Sequence, residues 1–224
     1  MSLVARLEDA VEFAENPEPR CPCVLLLDTS GSMQGEPLDA MLAGLEAFRF
    51  DLAVDPLAAR RVEVAVVAFD NRIQVVQDFV SPDRFEIPLL TAEGMTHVGA
   101  AIEKALEMVE ERKARYRAFD VAYYRPWIFL VTDGEPQGEP PEVVERAAQR
   151  LREAEGRKHV AFFAVGVENA NMQALARFGT RQPLRLKGLD FREMFVWLSR
   201  SMQSVAHSRP DETVKLAPTG WAEL

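Results

Sequence analysis

The chain has 224 residues, and 26 Lys and Arg face 35 Asp and Glu, for a formal net charge of −9. That length suits one large domain whose core needs no disulfide or metal to hold it, and 48% apolar with 27% charged residues excludes a disordered chain. The acidic balance counts against a nucleic-acid or anionic-membrane binder, which needs a basic face. No apolar run approaches the ~18 residues of a spanning helix, and the alternating apolar and acidic N-terminus is not a secretory signal, so the expectation is a soluble protein that stays where it is made.

Residues 1–20 read as an N-terminal arm, 21–206 as the domain and 207–224 as a C-terminal tail. Cys21 and Cys23 are the two cysteines. Two residues apart in a chain entering a strand, they face the same way but stand too far apart to bridge, and they lack the partners of a zinc site. Reduced structural thiols in a reducing compartment follow. Val24–Leu27 is the first of four short apolar runs; the others are Val64–Phe69, Trp127–Val131 and Val160–Val165. They do not alternate with polar residues, as expected of strands covered on both faces.

Helical periods lie between them. Leu38, Met41, Leu42, Leu45 and Phe48 make one face, and Val98, Ile102, Ala105, Leu106 and Val109 a second. Glu36 at a first helical turn suits the dipole there. Ile73–Phe79 follows the second strand after three residues, so it pairs antiparallel and lies at an edge. Glu111–Arg117 reads as a solvated, mixed-charge helix end. Tyr123-Tyr124-Arg125 precedes the third run, so it lies at the opposite end of the sheet from the loops that follow the strands. Glu139–Glu155 is a proline-initiated helix, and Phe191, Met194, Phe195, Leu198 and Met202 stripe a last one. Trp221 in the tail is expected to dock on the domain. The fold expected is α/β: a doubly wound, mostly parallel six-stranded sheet with one antiparallel edge strand and helices on both faces.

In such sheets the site lies beyond the carboxyl ends of the strands. Asp28-Thr29-Ser30-Gly31-Ser32-Met33 follows the first strand, and Thr132-Asp133-Gly134-Glu135-Pro136 follows Val131. Gly94-Met95-Thr96-His97-Val98-Gly99 opens the second helical stripe. Together they offer the carboxylates of Asp28 and Asp133 and the hydroxyls of Ser30, Ser32 and Thr96, with no Lys or Arg. Oxygen-only ligands suit a hard divalent cation, Mg²⁺ or Mn²⁺. Asp28, Ser30 and Ser32 alternate, so an extended turn can aim all three inward. Neutral hydroxyls leave the ion electron-poor and ready to bind an incoming carboxylate.

Asp-x-Ser-x-Ser, a later Thr and Asp-Gly, in this order on this strand pattern, resemble the metal-ion-dependent adhesion site of von Willebrand factor type A domains. The resemblance implies that Ser30, Ser32 and Thr96 ligate directly or nearly so, that Asp28 and Asp133 act largely through water, and that an acidic side chain of a protein partner takes the sixth position. Gly31, His97, Gly134 and Glu135 would form the rim or support it. The stretches 16–33, 123–136 and 195–202 resemble more specifically the bacterial TerY-like branch, named for tellurium-resistance gene clusters. That implies a cytoplasmic, non-enzymatic protein that binds other proteins, with relatives encoded near a Ser/Thr kinase and a phosphatase. Met95 departs from the pattern, since a glycine commonly precedes the Thr. Two enzymatic alternatives remain. A hydrolase would use Ser32 or Ser30 with His97 and Asp133, though no nucleophile elbow is present. A phosphotransferase would use Asp28 as nucleophile, though the usual acid two residues on is replaced by Ser30.

Overall fold

The computed structural model describes residues 10–210 and 212–223. Most of the N-terminal arm, residues 1–9, therefore lies outside the described residues, as do 211 and 224. Residues 10–15 are helical (α1). The elements then run β1 (Cys21–Asp28), a 3₁₀ turn (Gly31–Met33), α2 (Glu36–Val54), α3 (Ala58–Arg61), β2 (Val62–Phe69) and β3 (Ile73–Val80). They continue with α4 (Val98–Ala118), β4 (Trp127–Thr132), α5 (Pro141–Gly156), β5 (Ala161–Gly166), α6 (Met172–Leu175), β6 (Leu184–Leu186), α7 (Phe191–Ala206) and β7 (Ala222–Glu223).

The sheet order is β3-β2-β1-β4-β5-β6-β7. β1, β2, β4, β5 and β6 run parallel, and β3 pairs antiparallel with β2 at one edge, as its short connection requires. The expected six strands become seven, and a second antiparallel pair appears where Ala222 and Glu223 return to β6. Those strands, of three and two residues, are too short to show a period in the sequence. Trp221 carries the tail in: it is buried and packs edge-on against Trp197, with ring centroids 5.6 Å apart.

The unbroken apolar runs are explained by two cores. Cys21, Cys23, Leu25 and Leu27 of β1 face the layer built with α2 and α7, while Val24 and Leu26 face the layer built with α4 and α5. Both cysteines are free, and burial pushes the Cys21 thiol up to about 12. Each fully buried Leu, Val or Phe of these layers contributes about 1.5–3 kcal/mol. The three helical stripes lie on the buried sides of α2, α4 and α7, and α5 buries Val144, Ala147, Ala148 and Leu151.

The reading of 111–117 as a solvated helix end is overturned. Arg112, Lys113 and Tyr116 are buried. Arg112 donates from Nε and Nη2 to Glu63, each at 2.9 Å, and Arg20 Nε pairs with the same carboxylate at 2.9 Å. The sequence showed charges of both signs but not Glu63, 49 residues away, as the partner of Arg112. Tyr123-Tyr124-Arg125 does lie at the end of the sheet from which β4 starts, and Tyr124 serves structure there, donating to Ser208 O at 2.6 Å.

Candidate metal site at the carboxyl ends of the strands

β1, β2, β4 and β5 all end on the same side of the sheet, and the three loops singled out from the sequence meet there. Backbone hydrogen bonds tie them together. Thr29 N donates to Phe69 O (2.9 Å), Glu93 N to Thr29 O (2.8 Å), Gly31 N to Gly94 O (3.1 Å) and Gln137 N to Thr96 O (3.0 Å). Met33 is completely buried and pins the first loop to the core below α2.

Within that frame the polar side chains form a chain. Asp28, fully buried, accepts from Ser30 N on Oδ1 at 2.8 Å and from the Thr132 hydroxyl on Oδ2. Ser30 Oγ lies 3.2 Å from Ser32 Oγ, and Ser32 Oγ donates to Asp133 Oδ1 at 2.9 Å. Thr96 is buried, and its Oγ1 would stand 3.2 Å from a Cβ on Gly134, so the glycine lets the hydroxyl approach the loop after β4. The structure thus brings Asp28, Ser30, Ser32 and Asp133 into one hydrogen-bonded cluster and sets Thr96 against Gly134 beside it.

The departure at Met95 is absorbed one residue earlier. Gly94 has φ +76°, and a Cβ there would come 2.5 Å from Asn71 Oδ1; that same oxygen accepts from Met95 N. Met95 itself is exposed and keeps an ordinary negative φ. His97 donates from its backbone to Asp70 O at 3.1 Å, and its Nε2 would lie 3.0 Å from a Cβ on Gly138. It stands against the loop after β4, while the Ser32 hydroxyl goes straight to Asp133. That geometry puts a carboxylate, and not the histidine that the hydrolase reading needs, on the Ser32 hydroxyl. Both oxygens of Asp28 are engaged and buried, which leaves the phosphotransferase reading no free nucleophile. Glu135 is turned to α6, where its Oε2 accepts from Asn171 Nδ2 at 2.9 Å.

Two supporting residues escaped the sequence reading. Thr132 stands in the sequence only as the first residue of a loop. The pairing of Leu27 with Val131 sets it beside Asp28, a register that the aligned ends of the two apolar runs could have suggested. Glu139 was read as the start of a helix. Its carboxylate instead accepts from Gly99 N (2.8 Å) and Ala100 N (2.7 Å), capping α4 from the loop after β4. That cap holds Thr96 and Asp133 in fixed relation.

The cluster is short of positive charge. Burial pushes the Asp28 carboxyl up to about 6, against the pull of hydrogen bonds from Ser30 and Thr132, and Asp133 nearby adds to the rise. Burial likewise raises Asp133 above the usual carboxylate range, the Ser32 hydrogen bond opposes it, and Glu168 adds repulsion. The donor set fits a hard cation. Neighbouring oxygens around an octahedral Mg²⁺ stand about 3 Å apart, and the Ser30–Ser32 and Ser32–Asp133 separations are of that size. Among the described residues no three His, Cys, Asp or Glu come together, so a cation here would have to lean on hydroxyls.

The model of the von Willebrand factor type A domain family matches residues 23–189. A search of the curated proteins gave no match. Among solved structures, a von Willebrand factor type A protein from Catenulispora acidiphila is 18% identical, with a TM-score of 0.60 over 83% of this chain and 43% of its own. The pilus adhesin SpaC from Lactobacillus rhamnosus GG, in an open conformation, is 12% identical, with a TM-score of 0.68 over 85% of this chain and 31% of its own. Proximal thread matrix protein 1 from the mussel byssus, with a zinc-occupied MIDAS motif, is 19% identical, with a TM-score of 0.54 over 85% and 46%. The chain spans less than half the length of each of them. At these identities the likeness is one of fold.

Proposed function

The chain belongs to the von Willebrand factor type A domain family, whose members in general act as interaction modules, and we propose that this one binds a protein partner through a divalent cation. Ser30, Ser32 and Thr96 would offer hydroxyl oxygens, and Asp28 and Asp133 carboxylates, the latter two largely through water. The ion would polarise an incoming carboxylate and supply the charge that joins two acidic groups. Everything else is done by the chain itself. Thr132 and the Ser30 amide fix the Asp28 carboxylate, Met33 and Gly94 hold the loops, and Glu139 braces α4.

The observation that carries this reading is the linked cluster Thr132–Asp28–Ser30–Ser32–Asp133, with two carboxylates raised by burial and no cationic side chain among its hydrogen-bond partners. Mg²⁺ or Mn²⁺ is the proposed metal because all donors are hard oxygens. The zinc in the MIDAS motif of the mussel protein supports a cation at this position without deciding its identity. The partner is a protein presenting Asp or Glu. The resemblance of stretches 16–33, 123–136 and 195–202 to the TerY-like branch supports a cytoplasmic role in a bacterial stress-response or tellurium-resistance system, or one of phosphorylation signalling with a Ser/Thr kinase or phosphatase. No helix among the described residues is long and apolar enough to cross a membrane.

The test is a pull-down from lysate in Mg²⁺, in EDTA and with Asp28→Ala. A protein retained only by wild type in Mg²⁺ is the expected result. Partners indifferent to both EDTA and Asp28→Ala would place the binding surface elsewhere.

A further inference from the structure

A cavity of about 680 Å³ opens at the other end of the sheet, where β4 and β5 begin, between those strands, the end of α7 and the returning tail. Its walls differ in character. One is apolar and aromatic: Trp127 and Phe163 lie side by side with centroids 4.7 Å apart, and Val214 and Leu216 of the tail close over them. The other is basic, in a chain whose net charge is −9.

Some of that positive charge is answered internally. Lys113 pairs with Glu110 at 2.7 Å, and Arg181, stacked 5.1 Å from the Phe163 ring centre, pairs with Glu155. Among the described residues neither Arg125 nor Lys158 has an ion-pair partner. Arg125 donates only to main-chain carbonyls, Val160 O at 2.6 Å and Glu155 O at 3.1 Å. Burial and then the charge of Arg181 hold its guanidinium below its usual range, against the opposing charge of Glu155. Lys158 is exposed and sits at φ +59°, and among the described residues it has no ion-pair partner. The lining carboxylate Glu212 accepts from the backbone of Arg209 at 3.1 Å. A half-buried cation whose acidic neighbour, Glu155, is already paired with Arg181 gains from an added anion. The volume is that of an ordinary small-molecule site, with an apolar wall and few convergent polar groups.

We propose that this cavity is a second binding site, for a small organic anion with a flat apolar body, seated against Trp127 and Phe163 with its charged group between Arg125 and Lys158. The site is independent of the metal cluster at the far end of the strands.

The probe that tests it is 1-anilinonaphthalene-8-sulfonate, titrated in EDTA and followed by calorimetry. Saturable one-site binding is expected, weakened about 3- to 10-fold in Lys158→Asn and restored in Lys158→Arg. Asn tolerates the left-handed backbone at that position, so the fold is kept. Val214→Asp, which sets a carboxylate in the opposite wall, should weaken binding by tenfold or more, and Asp28→Asn should leave it unchanged. Absence of saturable binding, or equal affinity in wild type, Lys158→Asn and Val214→Asp, would overturn the proposal.

Discussion

Glu63 stands at the start of β2 and Asp28 at the end of the neighbouring β1, both out of reach of solvent. Glu63 is surrounded by Arg20, Arg112 and the hydroxyl of Tyr116, and Arg112 in turn reaches Glu12 at 2.5 Å. Asp28 has a main-chain amide and the hydroxyls of Ser30 and Thr132 for company, with Asp133 adding repulsion. One carboxylate has its counter-charge inside the chain. Among the described residues the other is desolvated without one, and burial raises its carboxyl to about 6. A buried charge left uncompensated is costly. Within one sheet, then, one end balances its buried charge from the chain's own residues, and the other is where the proposed cation would supply the missing charge.

The largest effect should come from breaking the balanced end. Glu63→Gln takes from buried Arg20 the carboxylate it pairs with and from Arg112 one of its acidic partners, and should cost about 3–5 kcal/mol of stability. Urea denaturation should show the same loss in Mg²⁺ and in EDTA, because no cation takes part.

Asp28→Asn should act in the opposite direction in the metal-free protein. The folded carboxyl sits near 6 against an ordinary 3.8, so the folded state holds the proton more tightly than the unfolded one. The stability this contributes is complete below about pH 4 and is lost as pH rises through about 6. Above that, the ionised group costs about 3 kcal/mol. In EDTA, Asp28→Asn should therefore be the more stable protein at about pH 8, and the gain should vanish near pH 4. Mg²⁺ should reverse the order, stabilising wild type in proportion to the logarithm of its concentration and leaving the variant unmoved. Equal denaturation midpoints in EDTA at both pH values would contradict this.

Ser32→Ala is a smaller change in stability and a specific one in binding. Ser32 is exposed, so stability should move by no more than about 0.5 kcal/mol. Losing the hydroxyl that joins Ser30 to Asp133 should weaken Mg²⁺ binding by about tenfold or more, read by calorimetry. The smallest effect is expected of Met95→Gly. Met95 keeps a negative φ while Gly94 provides the left-handed step, so Mg²⁺ affinity should stay within about twofold. A large gain would mean that the methionine restrains Thr96.

The layered sheet and the site loops were legible in the sequence for a physical reason. Strands covered on both faces must be continuously apolar, and a site in such a sheet must follow their carboxyl ends. Leu27 followed by Asp28, and Val131 followed by Thr132-Asp133, carry both signals in a few residues. Short strands such as Leu184–Leu186 and Ala222–Glu223 carry neither, and the seventh strand came only from Trp221 docking the tail. Arg112 and Lys113 looked solvated because a helix end rich in both charges is usually so. Arg112 is buried against Glu63, which stands just before the apolar run Val64–Phe69, and Lys113 pairs with Glu110 one turn earlier. Glu139 was hidden likewise, since it caps a helix 40 residues before it. Long-range pairings of charge leave no period to read.

The position of the cation is the most direct test of a metal-bridged contact. Crystals grown with Mn²⁺ and measured for anomalous scattering would settle it. The expected map has one strong peak bounded by Ser30, Ser32, Thr96, Asp28 and Asp133, and that peak is absent from Asp28→Asn. A map without a peak there, or with the manganese bound elsewhere, would contradict the metal-bridged reading.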